Sequence, residues 1–462
     1  MNIEIRDIGK IEHADVTLDG ITVIAGENNT GKSTIGKTVF AVFNALRNWQ
    51  QKYVNSCSRS IDLALNKLSE ELETFCMDKT NAKRRRTNRV GKLIEDLSYN
   101  QDFIAYIEDY KYSEVQEQRT KAHQEIAVLL SKLCIDYVGA YQKTSQELIN
   151  EHKSFFDAWI EKVIVYIEDN IELDERVMQG NVIRKSFSDC FKSQFVREDK
   201  NNAFINIKID DKKYTIKLKN MDIDISAPIR FDKNVYFIES PKLFDEIGSL
   251  RSGCDAEQEL QSIMVPNSFL SAKRMLTKRR PFGTEFEDTV ENTPEDLTEI
   301  LKMLQSEMGG YAHYYVKEGI KFKDSSLKNP IPAQNVSTGL KAMAFLEYAL
   351  RMGAIQKGDI LILDEPEINL HPDWQVSYAR ALVLLHQKYD LTLLITSHSP
   401  YFIRAIECFS DKYDVMDKLN VYLVAQDEDG KQRIDNVMES EYGMTELYDK
   451  LSAPLDSLQY II

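Results

Sequence analysis

The nine residues GENNTGKST, 26 to 34, decide how this chain is read. Gly26, Gly31, Lys32 and Ser33 satisfy GxxxxGK[ST] at every fixed position. The preceding run ITVIA, residues 21 to 25, is short, apolar and β-rich, as a buried strand should be. Ile35, Val39, Val42 and Leu46 follow at spacings of 4, 3 and 4, the period of a helix face. The loop therefore stands between a strand and a helix, which a chance match in a glycine turn would not ensure. Glycine permits backbone angles that turn successive N–H groups inward, from Gly26 through Asn28, Asn29, Thr30 and Gly31. The helix that begins near Lys32 adds the positive end of its dipole. Such a loop grips the phosphates of a nucleotide. Lys32 is expected to reach the β- and γ-phosphates. Ser33 is expected to place its hydroxyl on Mg²⁺, supported by Thr34.

A phosphate loop needs an acidic partner, and GDILILDEPEINLHPD, residues 358 to 373, supplies one. Ile360 to Leu363 predict a strand that Asp364 ends, facing the Mg²⁺ shell. Glu365 follows directly. It is either the base that orients and deprotonates an attacking water or a salt-bridged strand end. The run LTLLITSHSP, 391 to 400, predicts a further buried strand with His398 at its C-terminal end. Ligands bind at such strand ends in open α/β sheets. His398 there is placed to donate to a γ-phosphate. Upstream, Ser337, Thr338 and Gly339 sit where a helix would begin, with Met343, Leu346 and Leu350 on one face. A serine and a glycine at a helix start make an anion site. A plain N-cap explains Ser337 equally well.

Composition narrows the class. The 462 residues are 43% hydrophobic, enough for a sizeable core and for two or three domains. A net charge of −15 excludes a surface that attracts nucleic acid or anionic membrane as a whole. The N-terminus is charged throughout and does not read as a signal peptide. No run approaches ~18 apolar residues, so no membrane span is expected. The cysteines at 57, 76, 134, 190, 254 and 408 form no CxxC pair. Scattered in this way, they predict reduced, mostly buried thiols in a soluble cytoplasmic protein.

Between the phosphate loop and the later motifs, residues 51–200 carry almost no glycine or proline. Ile126, Leu130, Leu133 and Tyr137, then Phe155, Trp159 and Val163, keep helical spacing. The polar interruptions are too frequent for long strict heptads, so the insert is either a short coiled-coil arm or a helical lobe. Two basic clusters, KRRRTNRVGK (83–92) and SAKRMLTKRRPF (271–282), contact nucleic-acid phosphates, dock an acidic partner or form a solvated face. Residues 202–220 alternate apolar and polar around Asp-Asp-Lys-Lys, which predicts a hairpin. VYFIES (235–240) predicts a buried strand, and residues 421–437 a second hairpin. Asp427 and Asp429 in its turn are turn residues more readily than metal ligands.

These elements in this order resemble the head of the ABC-type ATPases, over roughly residues 1–50 and 200–425. VSTGLK stands where that superfamily has LSGGQ, with Thr338 for the first glycine and Leu340 for the glutamine. DEPEINLHP and TSHSP look like the OLD-like and SMC-like ATPases grouped as AAA-15. The resemblance implies an α/β fold: an ABC/SMC-like P-loop ATPase head with a mixed sheet, formed by residues 1–50 and 201–462. Residues 51–200 would be its coiled-coil or bundle insert. It further implies ATP and Mg²⁺ on Lys32, Ser33 and Thr34, with Asp364 on the metal and Glu365 as catalytic base. Ser337 and Gly339 would touch the γ-phosphate of ATP bound to a second subunit. Asn369, Leu370 and His371 would form a D-loop across the dimer interface, and His398 would be the switch histidine. The family's Q-loop glutamine finds no position. ATP sandwiched between two heads makes the protein a homo-oligomer.

The 64 residues that follow His398 are too short a stretch for the C-terminal Toprim nuclease domain of some OLD-like proteins. No zinc-deaminase or Ser/His/Asp array accompanies the motifs, so ATP hydrolysis is the only chemistry assigned. In layout the chain resembles the ATPase subunits of bacterial phage-defence systems. It is most like the AriA family of PARIS, then the PtuA family of Septu and retron systems, and the motifs do not separate the two. The first resemblance implies a scaffold that holds a Toprim-type nuclease, AriB, senses a phage protein trigger and releases the nuclease. The second implies an HNH nuclease partner. A competing resemblance is to the Rad50 and RecF kind of repair ATPase, gated by DNA through Arg84 to Arg86 or Arg279 and Arg280. A transporter ATPase is disfavoured by the insert's place before the signature and by the departure from LSGGQ.

Overall fold

A computed structural model describes residues 1–50, 52–53, 121, 123–125, 127–128, 130–132, 150–169, 174–219, 222–239, 264–265, 295–315, 319–426 and 432–458. Strands β1 (Asn2–Ile8), β2 (Ile11–Thr17) and β3 (Ile21–Gly26) lead into helix α1 (Lys32–Leu46). Helices α2 (Lys153–Asp169) and α3 (Glu175–Phe191) come before β4 (Ala203–Ile209), β5 (Lys212–Lys219), β6 (Asp222–Ile225) and β7 (Val235–Ile238). Helix α4 (Glu295–Met308) precedes β8 (Gly310–Tyr315), β9 (Gly319–Asp324), β10 (Ile331–Pro332) and α5 (Thr338–Arg351). The chain continues as β11 (Ile360–Asp364), α6 (Pro372–Tyr389), β12 (Thr392–Ser397) and α7 (Pro400–Lys412). It goes on through β13 (Leu419–Gln426), β14 (Gln432–Asn436) and α8 (Gly443–Leu458).

The backbone divides into two compact units: Met1–Arg47 with Ile183–Ile462, and Asn48–Val182. In the first unit a six-stranded mixed sheet has the order β14-β13-β3-β12-β11-β7. Neighbours from β13 to β7 pair in parallel, and β14 pairs antiparallel with β13. Every residue of β3 and β11 is buried, and in β12 only Thr392 is partly exposed. Strands covered on both faces need such unbroken apolar runs. Helix α1 packs on this sheet, with Phe40 edge-on to Phe237 at 5.9 Å. At the far edge Asn234 Nδ2 donates to Asp359 Oδ1 at 2.8 Å, and the Gln356 N–H donates to Asp359 Oδ2 at 2.7 Å. These bonds tie the start of β7 to the start of β11, while burial pushes the Asp359 carboxyl above the usual carboxylate range.

A second, antiparallel sheet has the order β2-β1-β4-β5-β6. Ile3, Ile5, Ile205, Ile207, Ile216 and Leu218 line its buried face at alternate positions. The hairpin expected over 202–220 is β4–β5, which turns at Asp210 with φ 52°. The hairpin β1–β2 is an addition to the sequence reading, which took that segment only as charged. Its intervening charges mask the period-2 set Ile3, Ile5, Ala14 and Val16. The expected strand at 235–240 is β7, and the hairpin expected at 421–437 is β13–β14.

Strands β10-β9-β8 form a third sheet, against which α4 and α5 pack. A buried ion pair holds this layer. Arg351 Nε donates to Glu347 Oε1 at 2.8 Å, and Gln305 Nε2 donates to the same oxygen at 2.7 Å. The Arg351 guanidinium also bonds the Ala312 carbonyl. Removing one partner strands a buried charge. Glu347→Ala is therefore expected to lower the unfolding free energy of the chain by about 3–5 kcal/mol in urea titrations.

In the second unit, α2 buries Phe156, Trp159, Ile160, Val163 and Ile164, an i, i+3, i+4, i+7, i+8 stripe. The sequence phase placed Phe155 at the head of that stripe. Phe155 is only half-buried, and Phe156 carries the contact. Both basic clusters, 83–92 and 271–282, and the Asp427–Asp429 turn lie outside the described residues. Cys190 is buried, which pushes its thiol up, whereas Cys408 is exposed, against the expectation of mostly buried thiols. Among the described residues no helix is long and apolar enough to cross a membrane.

Candidate active site

The loop after β3 is built as its letters require. Gly31 caps α1 in the left-handed region at φ 97°, and no side chain caps the helix. Lys32 is 3% exposed, and its ammonium arches back over the loop. Its Nζ donates to the Gly26 carbonyl at 2.9 Å and to the Glu27 carbonyl at 2.7 Å. Thr30 Oγ1 closes the turn on the Glu27 carbonyl at 2.8 Å. Distant strands brace the loop. Gln432 Nε2, on β14, donates to the Thr30 carbonyl at 2.6 Å, and Gln432 Oε1 accepts from the Glu12 N–H at 3.2 Å. Lys10 bonds both the carbonyl and the side chain of Asn29. A Cβ at position 31 would meet Ile11 Cδ1 at 2.8 Å. Gly31→Ala is thus strained by its φ, at about 1–2 kcal/mol, while the Ile11 side chain has to shift aside. Calorimetric titration with ATP is expected to show affinity down about tenfold in that variant.

Strand β11 delivers Asp364 in register with Thr396 of β12. Thr396 Oγ1 donates to Asp364 Oδ1 at 2.6 Å and accepts from the Glu365 N–H at 3.0 Å. Burial pushes the Asp364 carboxyl above the usual range, and hydrogen bonds from Thr396 and Ser33 oppose that shift. Glu365 then departs from the strand with φ 50°, a conformation bulky residues rarely hold. This turn sets its carboxylate between two motifs. Glu365 Oε1 lies 3.5 Å from Lys32 Nζ, and Glu365 Oε2 lies 3.6 Å from His398 Nδ1. Lys32, Asp364, Glu365 and His398, dispersed over some 370 residues, thus meet at the C-terminal ends of three adjacent parallel strands.

Ser337 stands at the N-cap of α5, exposed, and its hydroxyl makes no cap hydrogen bond. A Cβ at Gly339 would fall 2.6 Å from the Asn369 carbonyl, so the start of α5 and the 369–371 segment touch through glycine. Asn369 is itself left-handed, at φ 67°. His371 caps α6, accepting from the Asp373 N–H at 3.4 Å.

Residues 1–403 match the AAA_15 family, described as AAA ATPase domain. The chain belongs to this AAA ATPase family. Its activity class is that of an ATP-binding ATPase. No curated protein matches the sequence. Among solved structures, the SmcHead bound to the C-winged helix domain of ScpA is similar at 10% identity and TM-score 0.43, covering 94% of this chain and 96% of that one. The SMC head domain from Thermotoga maritima is similar at 9% identity and TM-score 0.35, covering 94% and 97%. The Smc head with a coiled coil and joint from Pyrococcus yayanosii is similar at 12% identity and TM-score 0.34, covering 97% and 98%. The chain's own strand order makes this AAA ATPase an α/β protein with a mixed sheet.

The donors of the AAA ATPase site are oxygens, the Ser33 hydroxyl and the Asp364 carboxylate, which hydrogen-bond each other. Among the described residues no three His, Cys, Asp or Glu side chains cluster as a metal cage. Mg²⁺ needs no such cage, since it takes one or two protein oxygens with phosphates and water. The residues fit it. Sequence reasoning passed over four contributors. Thr396 orients both acids, and Gln432 holds the loop. Glu239, just past β7, pairs with Lys37 of α1 at 3.0 Å and raises the Asp364 carboxyl further. Glu367, buried beside His398, accepts from Ser397 Oγ at 2.6 Å. Only the acid of VYFIES and the last acid of DEPE hinted at these two.

Proposed function

We propose that this ATPase is the oligomeric sensor and scaffold of an anti-phage defence system, which holds and releases a partner nuclease in the cytoplasm. The observation that carries the ATPase part is the Glu365 carboxylate lying between the Lys32 ammonium and His398. In this reading Gly26 to Gly31 cradle the phosphates, with Asn28, Asn29 and Thr30 between them. Lys32 draws toward the β- and γ-oxygens. Ser33, Thr34 and Asp364 would hold Mg²⁺, which neutralises phosphate charge when bound. Glu365 takes the proton of the attacking water, and His398 donates to the γ-phosphate. Ser337 and Gly339 face the ATP of a second copy, with Asn369 to His371 beside them. The free Ser337 hydroxyl favours that role over a plain cap. Such a sandwich makes the association of two heads report the nucleotide, because a γ-phosphate adds charge-assisted bonds across the interface. In this reading the insert of the head lies within residues 51–200.

The defence role rests on sequence layout: head motifs on either side of a helix-patterned insert, with ATP hydrolysis the only chemistry the motifs assign. It is AriA-like, with an AriB-like Toprim nuclease as partner and a phage protein as trigger. A PtuA-like pairing with an HNH nuclease is next. The test is affinity capture of the tagged protein from its native operon, with the intact mass recorded. A nuclease subunit in a defined multimer is the expected result, and its fold separates the two systems. A bare dimer carrying only DNA overturns the defence reading in favour of a DNA-gated ATPase.

A further inference from the structure

Glu367 is a buried acid outside the nucleotide grip. Its Oε1 accepts two hydrogen bonds, from Ser397 Oγ at 2.6 Å and from the His398 backbone N–H at 3.1 Å. Its Oε2 is buried and has no hydrogen-bond partner. Burying a carboxylate in this way is costly, and a neutral side chain would fill the space at less expense. The acid is accounted for by what its one bonded oxygen does: it fixes two consecutive residues at the end of β12.

The bonds continue beyond Glu367. Ser397 Oγ accepts from the Ser399 N–H at 3.1 Å. Ser399 Oγ donates to Gln375 Oε1 at 2.8 Å, and Gln375 Nε2 donates to the Leu370 carbonyl at 3.2 Å. The path runs from the turn after β11, through the end of β12, to α6 and back to the 369–371 segment. It borders a cleft of about 400 Å³ whose walls include Glu367, Leu370, Gln375, His398 and Ser399. His398 Nδ1 lies 3.6 Å from Glu365 Oε2 and 3.8 Å from Glu367 Oε1, with no hydrogen bond of its own. No hydrogen bond to Nδ1 fixes the ring, and the N–H of residue 398, pinned by Glu367, is the point of control.

We propose that Glu367 is a positioning residue that sets His398 against Glu365, and that the Ser397–Ser399–Gln375 path couples this setting to the 369–371 segment. This rests on Glu365 and His398 acting together in hydrolysis. Supporting side chains of this kind change activity by about 10–100-fold when removed. They do so without touching the nucleotide, so the loss belongs in kcat and not in KM.

The test compares ATP turnover and ATP affinity of the full chain, wild type, with Glu367→Ala, Glu367→Gln and Ser399→Ala, using Lys32→Ala as control. Glu367→Ala is expected to lower kcat about 10–100-fold with KM and Kd for ATP little changed. Glu367→Gln keeps the accepting oxygen and is expected to restore most of the rate. Ser399→Ala removes one link without opening a large cavity and is expected to lower kcat several-fold, which keeps the test decisive if Glu367→Ala does not fold. Wild-type kcat in Glu367→Ala or Ser399→Ala, or a Gln variant as slow as the Ala variant, overturns the positioning role and leaves the nucleotide site standing. Undiminished turnover in Lys32→Ala overturns the site reading, and the positioning role falls with it.

Discussion

Replacing Lys32 with alanine abolishes measurable ATP binding in the expected result. The ammonium is buried and already held by two carbonyls of the loop, so it is pre-aimed and gives up little freedom when phosphates arrive. A hydrogen bond to a charged group is worth about 1.5–3 kcal/mol, and Lys32, with three N–H donors, is expected to make two to phosphate by releasing one loop carbonyl. The loss of about 3 kcal/mol or more corresponds to at least about a hundredfold in Kd. The substitution has a second effect. The Gly26 and Glu27 carbonyls lose their donor, and the loop loses the strut that keeps its arch. Calorimetric titration with ATP measures both effects together. Tight binding by Lys32→Ala would sink the phosphate-loop assignment.

Glu365→Gln separates binding from chemistry. The amide keeps the shape and the left-handed backbone, so ATP binding is expected to persist. The variant cannot take a proton, and a positioned general base contributes about 10²–10⁴-fold. Single-turnover hydrolysis is expected to slow by that factor while nucleotide affinity holds. Heads that need hydrolysis to part should also accumulate as an associated species on a sizing column with ATP. Turnover at the wild-type rate would place the base elsewhere.

The sequence declared those residues whose chemistry resides in a single strand end. ITVIAGENNTGKST, LILDE and LLITSH each carry an apolar strand and its functional tip within a few consecutive positions. Side-chain type and local period were enough to read them. What stayed hidden depends on pairing between strands far apart in the chain. That Thr396 faces Asp364 follows from the register of β11 with β12. That Gln432 reaches Thr30 follows from β14 standing beside β13, and β13 beside β3. No local pattern encodes either. Glu367 was missed for a different reason. In sequence it is one more acid in an acidic stretch, and only its burial and its bonds to residues 397 and 398 set it apart. The β1–β2 hairpin was obscured because surface charges alternate with its core residues, and the charges were weighed before the period. The head of the α2 stripe slipped by one position because two adjacent phenylalanines, 155 and 156, compete for a helical phase that spacing alone leaves open.

The strand that bears the phosphate loop has as its two neighbours β12 and β13, and its brace comes from β14. Both sheet neighbours of that strand, and the Gln432 brace, are therefore supplied by residues about 370–400 positions later in the chain. On a ribosome adding about 5–20 residues per second, the first part of this site to be made waits on the order of tens of seconds for its walls. During that interval β3, buried throughout in the finished fold, has neither edge covered by its own sheet, and exposed strand edges invite wrong pairing. The nucleotide grip is thus a late event of synthesis. A chain stalled before residue 392 would carry the whole GENNTGKST motif and still be unable to form the ATP site.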